Sequence, residues 1–456
     1  MLAELARRFG VDTEFDDWIG RRVPVAEDTL VAVLGALGVP AGSPEERAAS
    51  LTEHDRAHWG RMLPPAIVGR QGAEIAFWVH VTHGADVRVW VRLEDGTVRP
   101  MVRQLENFTP PYDLDGRLVG EASFALPADL PLGYHRVYAH SGAEESNAAL
   151  IVTPAWLGLP ERLGQRRLWG LATQLYSVRS ARSWGIGDLT DLTDLAVWSA
   201  ARHGAGYLLV NPLHATAPTT PIEPSPYLPT SRRYLSPLYL RVEAIPEYAD
   251  LPTRGGVRKL HAALLRRVGG LDGIDRDASW KAKRRALKKV YRVRRSAGRD
   301  LAYAAYRSRE GAALDAFATW CALADRFGAD WHVWPDELRH PDADGVARFV
   351  AKHGRDVDFH RWMQWQLDEQ CAAAQTAALG AGMPLGIMAD LAVGVHPDGA
   401  DAWAMQDVLA LGVTAGAPPD EFNQLGQDWS QPPWRPDQLV EHGYEPFRAL
   451  VNAVLR

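Results

Sequence analysis

Apolar residues recur at helical spacing where the chain begins: Leu2, Leu5, Ala6 and Phe9, then Leu30, Val33, Leu34 and Leu37. Gly38 and Pro40 close the second run, as helix stops do. The pattern predicts a small helical cap over residues 1–62. From about Ile67 the period changes to two. AFWVHVTHG, DVRVWVRLEDG, EASFALPADLPLGYHRVYAHSG and AALIVTP alternate apolar with polar residues between Gly, Asp and Pro turns. Such runs predict an antiparallel β-sandwich over 63–155. After Pro154 the strands become short and continuous: RLWGLATQL (167–175) and GYLLVNPL (206–213), with LTDLTDLAVWSAARHG as a helix between them. Strand, helix and strand joined by tight loops predict a βαβ unit and a parallel sheet. A mostly helical stretch at about 254–350 precedes a third strand at 385–390.

Composition narrows the function classes. The chain has 456 residues and a net charge of −6, which argues against a nucleic-acid partner. Its basic segment KAKRRALKKVYRVRR (281–295) reads as a solvated helix face. The N-terminal residues carry an acid at Glu4 and no long apolar core, which argues against a secretory signal. No run approaches the roughly 18 apolar residues of a membrane span. Cys321 and Cys371 lie far apart within helical patterns, so neither a disulfide framework nor a metal spacing is expected. The chain therefore reads as cytoplasmic. No cofactor is expected either: GIGDLTD (185–191) lacks the lysine of a phosphate-binding loop, and no His-Glu-x-x-His run occurs. The 17 tryptophans leave two readings open, core packing and a sugar-stacking groove.

Two stretches carry candidate chemistry. In LGIMADLAVGVHPDGADAW (385–403) an apolar strand ends at a carboxylate, Asp390, the place where an α/β barrel sets substrate-binding or catalytic groups. In TAPTTPIEPSPYLPTSRRYLSPLYL (216–240), prolines flank Ser225 and Tyr227 and stiffen the loop. A ring already held in place loses little entropy when a ligand stacks on it.

At these residues the sequence resembles the 4-alpha-glucanotransferases, also called amylomaltases or disproportionating enzymes. The resemblance runs from about Gly164 to the last residue, through GLATQLYSVRSARSWGIGDLTDL, SPYLPTSRRYLSPLYLRVEAIPEY, DLAVGVHPDGADAW and GAPPDEFNQLGQDWSQPPWRP. The cap and sandwich look like the N-terminal extension of the long, actinobacterial-type members. The resemblance implies a multidomain chain whose segment 156–456 is the first part of a (β/α)8 TIM barrel with a helical insertion at about 254–350. It also implies transfer of α-1,4-glucan segments between maltodextrins through a covalent glucosyl-enzyme. Tyr227 then matches the tyrosine that stacks on the donor sugar, and Asp390 the aspartate that binds that sugar's hydroxyls. Asp420, Phe422, Gln427 and Trp429 match the loop that closes over the groove, with Phe422 as a stacking clamp. Ser236 stands where the family carries Asn, and Glu421 where an aromatic or small residue is common.

The family's Arg-x-Asp-His run (nucleophile), Glu-Asp-Leu-Gly run (acid/base) and stabilising His-Asp pair do not occur at the expected places. A retaining mechanism needs two carboxyl groups about 5–5.5 Å apart, and Met388, Ala389 and Leu391 surround Asp390 with no second acid. No catalytic residue is therefore assigned. Three strands of eight are expected, in a chain inactive by itself. Two other readings stay open: a non-catalytic glucan-binding protein, and a split enzyme completed by a second polypeptide.

Overall fold

The alternation after Ile67 folds as two sheets around one apolar core. The computed structural model describes residues 1–100, 102–164 and 167–455; Arg456, the last residue of the FRALVNAVLR run, lies outside them. Ala66–Arg70, Glu144–Thr153, Gly133–Ser141, Arg88–Arg92 and Val98–Arg99 form a five-stranded sheet in that order. Ile75–Thr82, Arg117–Leu126 and Arg103–Leu105 form the other, and Tyr112–Leu114 also pairs with Arg117–Leu126. Side chains that point inward at every second position, among them Phe77, Val91, Phe124, Val137 and Leu150, make the core. One pairing departs from the antiparallel expectation: Ala66–Arg70 runs parallel to Glu144–Thr153. Parallel neighbours need a long connection, and here the rest of the sandwich supplies it.

The cap contains helices Leu2–Arg8, Glu27–Ala36 and Pro44–Gly60. Ser43 starts the last of them with a reciprocal capping box: its hydroxyl accepts from Glu46 N–H, and Glu46 accepts from Ser43 N–H. A short hairpin, Glu14–Asp16 with Arg22–Pro24, separates the first two helices. It buries no side chain, so hydrophobic period gave no sign of it. Cap and sandwich belong to one compact unit, Met1–Gly158, which also includes 417–427 and 434–448. Arg435 donates to the Leu37 carbonyl at 2.7 Å, and Arg61 pairs with Glu441 at 2.6 Å. The sequence pattern assigns these later segments to the C-terminal part, since long-range pairing leaves no periodic mark.

The second unit, Leu159–Gly416 with 428–433 and 449–456, is built on a parallel three-stranded sheet. Gly170–Thr173, Tyr207–Val210 and Gly386–Ala389 lie in that order, with Leu171 beside Leu208 and Leu208 beside Ile387. Helix Leu189–His203 makes the crossover between the first two strands, ending at Gly204 in the left-handed region (φ 71°). The long helices Ala297–Phe327 and Asp344–Gly380 lie between the second and third strands in sequence and pack together. Trp184, Trp320, Trp334, Trp362 and Trp403 are fully buried. Core packing thus accounts for the largest share of the tryptophan content.

GIGDLTD has a structural task. Asp188 caps the crossover helix and Asp191 reciprocates. Arg241 Nε donates to Asp188 Oδ2 at 2.6 Å and its second nitrogen to Asp191 Oδ1 at 3.0 Å, all three residues being buried. In the basic segment 281–295, Lys281, Arg285, Lys288, Arg292 and Arg294 are exposed, as a solvated face would have them, but Lys283 is not. Lys283 is fully buried and donates to the Leu238 carbonyl at 2.5 Å. Burial pulls its pKa down to about 8. The reason is placement: Lys283 lies on the packed face of helix Arg276–Val290, which composition alone cannot distinguish from the wet one. Replacing Arg241 by Met removes the guanidinium bonded to these two buried carboxylates. The expected loss is about 3–5 kcal/mol, read as a lower urea midpoint with an unchanged slope.

Candidate functional site

Asp390 follows directly on Gly386–Ala389, and its N–H donates to Val210 O at 3.2 Å. The carboxylate therefore stands at the C-terminal edge of the parallel sheet, where ligands bind in α/β folds. Tyr227 meets it there: the phenol O–H donates to Asp390 Oδ2 at 3.0 Å. The two residues are separated by 163 positions in sequence. Tyr227 is 47% exposed.

The Pro-rich loop is fixed by more than its prolines. Glu223 accepts from Ser225 N–H at 2.9 Å, and Ser225 Oγ accepts from Tyr227 N–H at 3.3 Å. Ile222 N–H donates to Asp277 at 2.8 Å. Gln431 Nε2 donates to the Tyr227 carbonyl at 2.8 Å. On the other side, the loop after Asp390 is clamped by Arg232, whose guanidinium donates to Val393 O at 2.5 Å and Ala392 O at 3.4 Å. Ala392 N–H donates to His214 Nε2 at 3.2 Å. Asp401 belongs to the short helix Ala400–Ala404 and accepts from Arg232 N–H at 3.0 Å. It positions this loop and is no second acid for Asp390.

His214, Arg232 and Gln431 were not singled out from sequence. Each acts through a contact with the backbone of a residue far away in the chain, and an Arg pair next to the prolines was the one available sign. His214, Arg233, Asp368 and Asp390 line a cavity of about 140 Å³ beside the sheet.

The remaining candidates are in the later loop. Asp420 Oδ1 accepts from Phe422 N–H at 2.8 Å and Asn423 N–H at 2.6 Å, so this carboxylate shapes its own turn. Phe422 is 96% exposed. Gln427 opens the strand Gln427–Gln431, which contains the partly exposed Trp429 and ends at the Tyr227-bonded Gln431.

Chemically, Tyr227 offers a flat apolar face and Asp390 an acceptor oriented by the phenol. That pairing fits a polyhydroxylated ring, which has CH faces to stack and equatorial hydroxyls to donate.

The 4-alpha-glucanotransferase family profile matches residues 173–456. The chain belongs to this family. The profile of the MalQ N-terminal beta sandwich domain matches residues 62–154. The 4-alpha-glucanotransferase of Mycobacterium tuberculosis is 68% identical over 461 residues, covering 100% of this chain and 64% of the relative. That of Haemophilus influenzae is 32% identical over 345 residues, covering 71% of this chain and 49% of the relative. The crystal structure of amylomaltase from Corynebacterium glutamicum superposes with a TM-score of 0.88 at 43% identity, over 100% of this chain and 63% of that one. An amylomaltase from Streptococcus agalactiae, solved with acarbose, shares the fold at 18% identity and a TM-score of 0.51, over 63% of this chain and 57% of that one. The chain thus spans under two thirds of the length of these relatives. Among the described residues, no helix is long and apolar enough to cross a membrane.

Two predictions follow from the electrostatics. The Asp390 carboxylate accepts the Tyr227 proton and repels a phenolate, which raises the Tyr227 pKa above its ordinary value. In Asp390→Asn the Tyr227 phenol should titrate at lower pH, seen with ¹³C-labelled tyrosine by NMR. For His214, burial and then the Arg232 charge lower the pKa to about 4, against about 6.5 for an unperturbed side chain. The folded state binds fewer protons than the unfolded one between these values. The stabilisation is thus complete above about 6.5 and is lost as pH falls towards 4, roughly 3 kcal/mol in all. Urea midpoints of the wild type should fall over this window, and His214→Gln should lack that component.

Proposed function

We propose that this chain provides the donor-sugar recognition part of a 4-alpha-glucanotransferase, within the first strands of a (β/α)8 barrel. The observation that carries the reading is the Tyr227–Asp390 hydrogen bond at the C-terminal edge of the sheet. Tyr227 stacks on the apolar face of a glucose ring, and Asp390 accepts hydrogen bonds from its hydroxyls. Asp420, Phe422, Gln427 and Trp429 shape the acceptor side, and exposed Phe422 is the residue that closes on the sugar and excludes water. The substrate class is maltodextrin, and the expected location is the cytoplasm. Architecturally, residues 1–62 form the cap, 63–155 the sandwich and 156–456 the barrel segment.

Retaining transfer needs a nucleophile and an acid/base flanking the scissile bond. Asp390 is engaged as a ligand by Tyr227. Neither an Arg-x-Asp-His nor a Glu-Asp-Leu-Gly run occurs within the 456 residues. The reading therefore gives this chain recognition and leaves the covalent step to carboxylates outside it, in continuing chain or in a second polypeptide.

A titration of the chain with maltoheptaose, followed by NMR, tests this. Binding with a dissociation constant of about 1 mM is expected, corresponding to about −4 kcal/mol. Tyr227→Ala should weaken it up to about tenfold, as loss of one aromatic stacking contact does. No effect of Tyr227→Ala would overturn the site. Micromolar binding abolished by that substitution would favour a dedicated glucan-binding protein.

A further inference from the structure

His80 is buried on the sandwich strand Ile75–Thr82, at 3% exposure. Its Nδ1 lies 3.1 Å from the His58 carbonyl and 3.2 Å from the Arg61 carbonyl. Both partners only accept, so Nδ1 carries the proton. In a neutral ring, Nε2 is then a lone pair. That lone pair points at Glu121 Oε2, 3.2 Å away. Two acceptors at this distance repel unless something positive lies between them, either a second proton or a metal ion.

The surroundings match a ligand set. Glu121 Oε1 accepts from Asn107 Nδ2 and Thr109 Oγ1, each at 3.0 Å, so its orientation is set and Oε2 is left for another partner. The His80 N–H to carbonyl contact is the outer-shell arrangement that orients metal-bound imidazoles. Trp59 and Trp78 stack on the His80 ring, at 4.5 and 4.2 Å between centroids. His58, on helix Pro44–Gly60, supplies a third donor. Donor atoms of His58, His80 and Glu121 all lie within 4.8 Å of one another. Tetrahedral zinc, with bonds of about 2.0–2.2 Å, sets its ligand atoms roughly 3.3 Å apart, close to the His80–Glu121 separation.

We propose that His58, His80 and Glu121 form a binding site for a borderline divalent transition cation such as Zn²⁺, joining the helical cap to the sandwich. Two imidazoles and a carboxylate suit zinc better than calcium or magnesium, which take oxygen ligands. Spacings of 22 and 41 residues along the chain hide such a site from sequence motifs. The site is independent of glucan recognition.

The test is zinc binding to the full chain, freed of metal with a chelator, at pH above neutral. One equivalent of Zn²⁺ is expected by calorimetry, and Co²⁺ in its place should give the visible bands of a tetrahedral complex. His58→Ala and Glu121→Gln should each remove that equivalent; partly exposed His58 makes its variant the safer one for folding. Asn107→Ala, which keeps all three ligands, should weaken zinc about tenfold. Asp398→Asn serves as a control, because Asp330, His332 and Asp398 form a second, more exposed group; it should change nothing at the first equivalent. The proposal is overturned if His58→Ala and Glu121→Gln retain the equivalent. It is also overturned if ¹⁵N NMR of zinc-saturated protein shows His80 protonated on both nitrogens.

Discussion

The position of Asp390 rests on Arg232. Its guanidinium bonds two carbonyls just beyond the third parallel strand, and its N–H bonds Asp401 further on. Arg232 itself follows the Pro-rich loop within the strand Ser231–Leu235. One buried cation therefore ties the loop that carries Tyr227 to the loop that carries Asp390. A guanidinium suits this role because its planar fork can address several acceptors at once and stays charged when buried. Removing it would release both loops, and the 3.0 Å contact between phenol and carboxylate depends on both.

A second buried cation does similar work at the start of the crossover helix. Arg241 joins the start of the crossover helix to the chain that leaves the second strand. Gln364 and Gln370 extend the attachment: each bonds both an N–H and a carbonyl, at Leu235 and at Arg241 respectively. Side-chain amides can satisfy a donor and an acceptor together, so an irregular segment can cross the core without leaving its backbone unpaired. Helix Asp344–Gly380 is thus a support for the site's loops as well as a source of apolar core.

The first unit shows the same economy of polar contacts. Glu121 serves Asn107, Thr109 and His80 at once, and His80 in turn reaches two carbonyls of the cap. Cap and sandwich share a polar junction, distinct from the apolar clusters that stabilise each part.

Period and punctuation in the sequence determined the order of elements: helices, then alternating strands, then short strands around a crossover helix. They also marked Tyr227 and Asp390, since a stiff aromatic loop and a strand ending in an acid are local patterns. Other features were decided only by tertiary structure. That Ala66–Arg70 pairs in parallel, that 434–448 packs with the cap and sandwich unit, and that Lys283 faces the core all depend on partners distant in sequence. The same holds for His214, Arg232 and Gln431, and for the meeting of His58, His80 and Glu121. Hydrophobic period reports which face of an element is buried, but a hydrogen bond between side chain and distant backbone leaves no period behind. The sequence named the two groups that meet at the sheet edge, and the packed structure alone determined what holds them there.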